Sequence, residues 1–130
     1  MGKFSEKSLA RLAETDPRLQ ALFRRVVSQY DCIVTAGYRS GADQDAAFRA
    51  GRSQKQAGQS KHNSYPALAI DVAPWPLQWE NAKRFYHFAG YVKGVAEFMA
   101  IPIRWGGDWD SDLDLDDNGL VDLVHFEIKE

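Results

Sequence analysis

The chain has 130 residues, of which 45% are hydrophobic and 26% charged, a balance that is typical of a single globular domain and excludes a disordered protein. The formal net charge is −2, which argues against nucleic acid as the main partner. No stretch reaches the roughly 18 apolar residues of a membrane span. The charged start, MGKFSEKSLARLAE, lacks the apolar core of a secretory signal. We therefore expect neither membrane insertion nor a signal peptide.

The first half of the chain predicts three helices and one strand. Residues 5–14 form a short helix, and Asp16 followed by Pro17 opens a second helix that runs to about Tyr30. The run CIVTAGY is rich in β-branched residues and predicts a strand over 32–36. Its Cys32 is expected to be a buried structural thiol. Ser40 caps a third helix over about 41–50.

The second half alternates strands with a long helix. Residues 51–66 are polar and form a loop, and ALAIDVA then predicts a second strand. An apolar stripe at helical spacing predicts a helix over about 80–100. IPIRW and VHFEI predict two short strands on either side of an acidic loop. The expected fold is a single α+β domain over 1–130, with helices packed on a small, mostly antiparallel sheet.

Three candidate metal ligands lie at the edges of these elements: His62 in a loop, Asp71 within a strand and His125 at the start of the last strand. Zinc accepts imidazole nitrogen and carboxylate oxygen, and a catalytic site combines three protein ligands with an open position. Each residue taken alone has a more ordinary alternative. His62 would be a solvated loop histidine, Asp71 a strand-end carboxylate held by backbone N–H groups, and His125 a packed strand histidine. Spacing by itself leaves these alternatives open.

Two further residues have the chemistry that such a site would use. Asp122 lies three residues before His125, close enough to take a proton from a water on the same metal. Arg39, after the first strand, is a candidate donor to a developing oxyanion or a substrate carboxylate. A turn residue and a surface salt bridge are the alternatives when either is considered alone.

Four segments occur in a characteristic order: TAGYRSGADQ, SKHNSYPALAIDVAPWP, IRWGGDWD and DLVHFE. Together they resemble the D-alanyl-D-alanine and L-alanyl-D-glutamate peptidase family of zinc enzymes, in particular its phage endolysin-like branch. The resemblance covers about residues 32–128. In the more familiar family pattern the histidine and the aspartate are seven positions apart, with a glycine between them, whereas in this chain they are nine apart, with an Asn-Ser-Tyr-Pro turn between them.

The resemblance implies a role for each matching position. The zinc ligands would be His62, Asp71 and His125, the acid/base Asp122 and the transition-state arginine Arg39. Ser60 and Gln44 match positions that line or support the site. Asp71 would then be tolerated at the end of an apolar run because a zinc ion holds its charge.

The acidic loop contains two alternating series of oxygen-bearing side chains. One resembles the start of a calcium-binding loop and comprises Asp114, Asp116 and Asn118, followed by Gly119. The other comprises Asp108, Asp110 and Asp112 and lacks the glycine. Position twelve of the first series is His125 rather than a bidentate glutamate, so a solvated loop is the favoured interpretation and calcium the alternative.

The resemblance implies a zinc peptidase that hydrolyses the stem peptide of bacterial peptidoglycan, at the L-alanyl-D-glutamate bond or another bond of a D-residue. Alternatives are a D-Ala-D-Ala-type carboxypeptidase or dipeptidase, and a catalytically silent zinc module such as the Hedgehog amino-terminal relative. A nuclease is disfavoured. Trp75, Trp105 and Trp109 either line the cleft or pack in the core. We expect a monomer, made in the cytoplasm of the bacterial host, that acts on the cell wall after release.

Overall fold

The computed structural model describes residues 2–51, 58, 60–108, 111 and 122–130. The helices are α1 (Glu6–Leu12), α2 (Pro17–Val27), α3 (Gly41–Arg49) and α4 (Ala82–Phe98), with a 3-10 turn at Lys61–Asn63. The strands are β1 (Cys32–Ala36), β2 (Ala69–Pro74), β3 (Ile103–Trp105) and β4 (His125–Ile128). Within the described part of the chain, no helix has both the length and the hydropathy that crossing a membrane requires.

The four strands form one sheet in the order β1-β2-β4-β3, and every pairing among them is antiparallel. The α+β prediction is therefore confirmed. The sheet brings distant segments together, because β4 lies between β2 and β3. In the register of β2 and β4, Asp71 lies directly opposite His125. The pairing of β1 with β2 is irregular between Val34 and Ala36.

Helices α2 and α3 begin where the sequence predicts. Asp16 accepts a hydrogen bond from the Arg18 backbone N–H, with Pro17 in the first turn of α2. The side chain of Ser40 accepts from the Asp43 N–H and caps α3 in the same way. Such caps satisfy backbone donors that have no partner within the helix.

Several elements end a few residues away from the approximate positions that the sequence predicts. Helix α2 ends at Val27 rather than near Tyr30. The next residue, Ser28, caps the helix, and its hydroxyl donates to the Arg25 carbonyl. Strand β2 begins at Ala69 because Ala67 instead bonds to the α1–α2 connection, as an isolated bridge to Thr15. Helix α4 spans 82–98 rather than 80–100.

The hydrophobic core lies between the sheet and the helices α2 and α4. Phe126 of β4 packs edge-on against Phe23, with ring centroids 5.4 Å apart, and against Phe88 at 6.1 Å. Ile70 and Val72 of β2 belong to the same cluster. Because side chains alternate along a strand, the residues between these core positions project from the opposite face. That face carries Asp71 and His125.

Candidate metal centre

Three side chains from three segments converge on the face of the sheet opposite α2 and α4. His62 comes from the 3-10 turn, Asp71 from β2 and His125 from β4, and all three are buried. One potential ligand atom from each lies within 4.8 Å of the others. The structure therefore brings together the three ligands that the sequence predicted, although His62 and Asp71 are separated by nine positions.

The ring of His62 is oriented by the backbone. Its Nδ1 lies 2.7 Å from the carbonyl oxygen of Gly37, and because a carbonyl only accepts, Nδ1 carries the hydrogen. The other nitrogen, Nε2, therefore faces Asp71 Oδ1, at 3.2 Å. Gly37 is required by close approach, since a Cβ there would lie 2.3 Å from the backbone oxygen of Arg11.

The ring of His125 is oriented by a carboxylate. Its Nε2 lies 2.8 Å from Glu127 Oε1, while its Nδ1 lies 3.3 Å from Asp71 Oδ1. The two histidines thus present different nitrogens to the same carboxylate oxygen, Nε2 from His62 and Nδ1 from His125. Their ring centroids are 5.1 Å apart.

The charges of the cluster are strongly coupled. Burial would raise the pKa of Asp71, but the contacts with His125 and His62 outweigh it and hold that pKa well below its usual range. Burial would lower the pKa of His125, and the contacts with Asp71 and Glu127 instead raise it to about 9. The pKa of Glu127 falls to about 2, because His125 and Lys61 outweigh its burial. Without a metal, a protonated His125 therefore lies between two carboxylates.

This donor set fits a metal ion. Two imidazole nitrogens and one carboxylate oxygen are the ligands that zinc accepts, and three protein ligands leave a position open for water or substrate. The two histidines also have the outer hydrogen-bond partners, a carbonyl and a carboxylate, that metal-binding imidazoles commonly have.

Arg39 lies beside this cluster. Its Nη2 is 3.7 Å from Asp71 Oδ2, so the two oxygens of Asp71 face different partners. Its Nη1 donates to Gln44 Oε1 at 3.0 Å, and Gln44 is fully buried. The Arg39 backbone N–H also donates to the His62 carbonyl at 2.7 Å. Gln44 therefore supports Arg39 from the interior.

Asp122 reaches the same region from the segment before β4. Its backbone N–H donates to the Gly106 carbonyl at 2.9 Å, and its carbonyl accepts from the His125 N–H at 3.2 Å. A Cβ at Gly106 would lie 2.1 Å from the Asp122 carbonyl oxygen, so glycine permits this approach. Desolvation of the Asp122 carboxyl, and then the charge of Asp71, raise its pKa above the ordinary value.

An open cleft of about 710 Å³ contains these groups. Arg39, Asp71 and Asp122 line it together with Trp79. Three further charged residues also line it: Arg11 of α1, Glu14 from the segment after α1, and Asp43 of α3. The cleft wall is more polar than apolar.

The tryptophans differ in their surroundings. Trp105 is buried in the core, and its Nε1 donates to the Leu123 carbonyl at 2.9 Å. Trp75 is 52% exposed and lies outside the described cleft lining. Trp79, which the sequence analysis did not select, lines the cleft and stacks on Phe85 with ring centroids 5.6 Å apart. Trp109 is outside the described residues.

Of the remaining predicted residues, the structure describes two, and the others lie outside the described ranges. Ser60 caps the turn that carries His62, because its Oγ accepts from the His62 N–H at 3.1 Å. Asp108 is buried, and its Oδ2 lies 3.6 Å from Lys93 Nζ. The other predicted calcium ligands lie outside the described residues: Asp110, Asp112, Asp114, Asp116 and Asn118.

The sequence did not predict that Glu127 and Lys61 lie behind the candidate metal ligands. A signal for Glu127 was present, since residues two apart on a strand share a face, and Glu127 follows His125 by two in VHFEI. Lys61 Nζ lies 3.2 Å from Glu127 Oε2, a contact across 66 positions that no local pattern indicates.

The chain is similar to several known proteins. Residues 1–129 match the family described as phage L-alanyl-D-glutamate peptidase. The L-alanyl-D-glutamate peptidase of Escherichia phage T5 is 30% identical over 135 residues, which span 97% of each chain. The peptidoglycan L-alanyl-D-glutamate endopeptidase CwlK of Bacillus subtilis is 30% identical over 95 residues, 61% of this chain and 54% of CwlK.

A solved structure is also similar. The L-Ala D-Glu endopeptidase ChiX of Serratia marcescens superimposes with a TM-score of 0.77 at 27% sequence identity, covering 98% of this chain and 91% of ChiX. The similarity therefore extends over the whole domain rather than over the ligand segments alone.

Proposed function

The chain belongs to the phage L-alanyl-D-glutamate peptidase family, and on that premise we propose that it hydrolyses the L-alanyl-D-glutamate bond of the peptidoglycan stem peptide with a zinc ion held by His62, Asp71 and His125. The observation that carries the proposal is the convergence of these three buried side chains, with ligand atoms within 4.8 Å of one another, beside an open cleft. A purely structural site would have no need of the cleft.

The two ligand nitrogens are His62 Nε2 and His125 Nδ1, because the other nitrogen of each ring is engaged by Gly37 and Glu127. When bound, zinc supplies Lewis-acid polarisation of the scissile carbonyl and lowers the pKa of a water molecule. The chain itself must then hold the peptide, move the proton and stabilise the negative charge.

Asp122 is the proposed acid/base. Its carboxyl lines the cleft, and its raised pKa brings it nearer to the range in which a carboxyl both accepts and returns a proton. Asp122 takes the proton from the attacking water and delivers it to the departing amine of D-glutamate. The hydrogen bond of its backbone carbonyl with the His125 N–H keeps the acid/base next to a ligand.

Arg39 is the proposed donor to the oxyanion. Its guanidinium lies in the cleft wall, held by Gln44 at 3.0 Å and by the charge of Asp71 at 3.7 Å. An arginine held in this way is aimed before the reaction, so little reorganisation is needed when negative charge develops on the carbonyl oxygen.

The cell wall is the proposed place of action. We infer that the protein is made in the cytoplasm of a bacterial host, reaches peptidoglycan after release and works as a monomer. The names of the relatives, which describe L-alanyl-D-glutamate peptidases and a peptidoglycan endopeptidase, support the cell wall as the place of action.

Digestion of purified peptidoglycan tests the proposal. The zinc-loaded protein is incubated with wall material, and the new amino termini are identified by mass spectrometry. A new D-glutamate amino terminus is expected. Release of free D-alanine would instead indicate a carboxypeptidase, and absence of cleavage by a protein that holds zinc would indicate a silent zinc module.

A further inference from the structure

A buried carboxylate lies behind the proposed metal ligands. The Glu127 residue is 3% exposed, and its two oxygens have different partners. Oε1 lies 2.8 Å from His125 Nε2, and Oε2 lies 3.2 Å from Lys61 Nζ, with Arg104 Nη1 farther away at 3.9 Å. A carboxylate at this depth is costly unless it is paired and hydrogen-bonded, and here both requirements are met.

Lys61 connects two parts of the site. It precedes the ligand His62 in the 3-10 turn, and its Nζ contacts both Glu127 Oε2 and the backbone carbonyl of Ile128. Both of those partners belong to β4, the strand that begins with the ligand His125. The Lys61 side chain therefore ties the turn that carries one ligand to the strand that carries another.

The contact with Glu127 determines which nitrogen of His125 is available. A neutral imidazole that binds a metal through Nδ1 must carry its hydrogen on Nε2. The carboxylate 2.8 Å from Nε2 accepts that hydrogen and also limits rotation of the ring. Outer carboxylates of this kind are worth roughly 10–100-fold in metal affinity.

We propose that Glu127 is a positioning residue that holds His125 with Nδ1 toward the metal, and that Lys61 both neutralises this buried carboxylate and locks the His62 turn to β4. The inference rests on the proposed metal site but not on the identity of the scissile bond. Glu127 touches neither substrate nor the reacting atoms and is not a catalytic residue.

Zinc affinity is the first measurement, made by competition with a chromogenic chelator. Glu127→Gln keeps the shape and one oxygen acceptor, whereas Glu127→Ala removes both. We expect about a 10–100-fold loss for Glu127→Ala and a smaller loss for Glu127→Gln. The matched control is Glu130→Gln, because Glu130 is exposed and its side chain faces Arg18 at 3.7 Å. Its affinity should equal that of the unaltered protein.

The ring of His125 supplies a readout that a merely structural role would not change. In the zinc-loaded protein with ¹⁵N-labelled histidine, the Nε2–H of His125 should give a resolved, slowly exchanging proton signal. That signal should weaken in Glu127→Gln and vanish in Glu127→Ala, while the signals of His62 and the backbone amides of α2 remain in place. If Glu127→Ala also loses the pattern of α2 amide signals, that variant is misfolded. The His125 signal of Glu127→Gln then tests the positioning role.

The role of Lys61 is tested with one variant that removes its positive charge and one that retains it. Lys61→Met should lower zinc affinity, and Lys61→Arg, which retains a cation, should restore most of it. Unchanged affinity in Glu127→Ala together with an unchanged His125 signal would overturn the inference, even if the protein cleaves peptidoglycan. Conversely, if the unaltered protein binds zinc without cleaving the wall, the proposed peptidase function is refuted. The positioning role of Glu127 can still be measured through zinc affinity.

Discussion

Asp71 and His125 are paired across β2 and β4, and Oδ1 of Asp71 lies 3.3 Å from His125 Nδ1 and 3.2 Å from His62 Nε2. One carboxylate oxygen thus faces two imidazole nitrogens, while the other oxygen faces Arg39. This arrangement joins the proposed ligands to the proposed oxyanion donor through a single side chain.

Removal of one ligand should empty the site. We expect the purified protein to carry about one zinc per chain and His62→Ala to lose it, because two remaining ligands hold zinc too weakly to survive purification. Metal analysis of the two proteins measures this directly. His87→Ala is the matched control, since His87 is exposed and bonded to the Tyr30 hydroxyl at 2.8 Å. Full zinc retention in His62→Ala would refute the ligand assignment.

Removal of the proton carrier should separate catalysis from metal binding. Asp122→Ala should keep the zinc and the fold yet lose wall-lytic activity by roughly 10²–10⁴-fold, the usual contribution of a positioned acid/base. Turbidity loss of a wall suspension and metal content measure the two properties. Near-normal lysis by this variant would mean that another group carries the proton.

Zinc affinity should depend on pH. The pKa of His125 is raised to about 9 in the metal-free protein, chiefly by Asp71 and Glu127 acting against burial, and zinc must displace that proton. Apparent affinity should therefore rise by about tenfold per pH unit as pH increases towards 9. Chelator competition at several pH values measures the slope. An affinity that does not change between pH 6.5 and pH 9 would contradict the protonated His125.

The metal-free protein should have a restricted range of greatest stability. His125, whose pKa rises from 6.5 to about 9 on folding, contributes stability that is fully present below pH 6.5 and is lost as pH rises through about 9. Glu127, whose pKa falls from 4.5 to about 2, contributes stability that is present above pH 4.5 and is lost as pH falls through about 2. The free energy of unfolding of the zinc-free protein, measured with urea at several pH values, should decline at both low and high pH. Equal stability at pH 6 and pH 9.5 would contradict the His125 contribution.

Calcium remains a prediction of the sequence. Seven carboxylates between 108 and 122 should repel one another, and a hard cation with oxygen ligands would relieve this repulsion just before Asp122 and His125. Calcium should then raise lytic activity, and Asp114→Ala or Asp116→Ala should abolish the increase. Since Asp108 already faces Lys93, the series beginning at Asp114 is favoured over the one beginning at Asp108.

A chelator that removes calcium and leaves zinc provides the control. Equal activity in calcium and in that chelator, with no shift of the amide resonances of 108–122 on titration, would reduce the segment to a solvated acidic loop.

The sequence by itself determined the elements and the candidate ligands. Asp16-Pro17 and Ser40 begin helices through local hydrogen bonds, and such bonds depend only on residues a few positions apart. The runs ALAIDVA and VHFEI predict strands through their own side chains, which are mostly apolar and partly β-branched. The order of four motifs, rather than the spacing of any one, selected His62, Asp71 and His125 over their more ordinary roles.

Only the tertiary structure decided how these residues face one another. The choice of Nε2 in His62 and Nδ1 in His125 depends on Gly37 and Glu127, and Gly37 is distant from His62 in sequence. Likewise, only the tertiary structure shows that Trp79 lines the cleft whereas Trp105 packs in the core. It also shows that the Lys61 side chain reaches β4. These contacts depend on long-range pairing such as that of β2 with β4, because such pairing, not local preference, sets which side chains share a face and which partners their polar atoms meet.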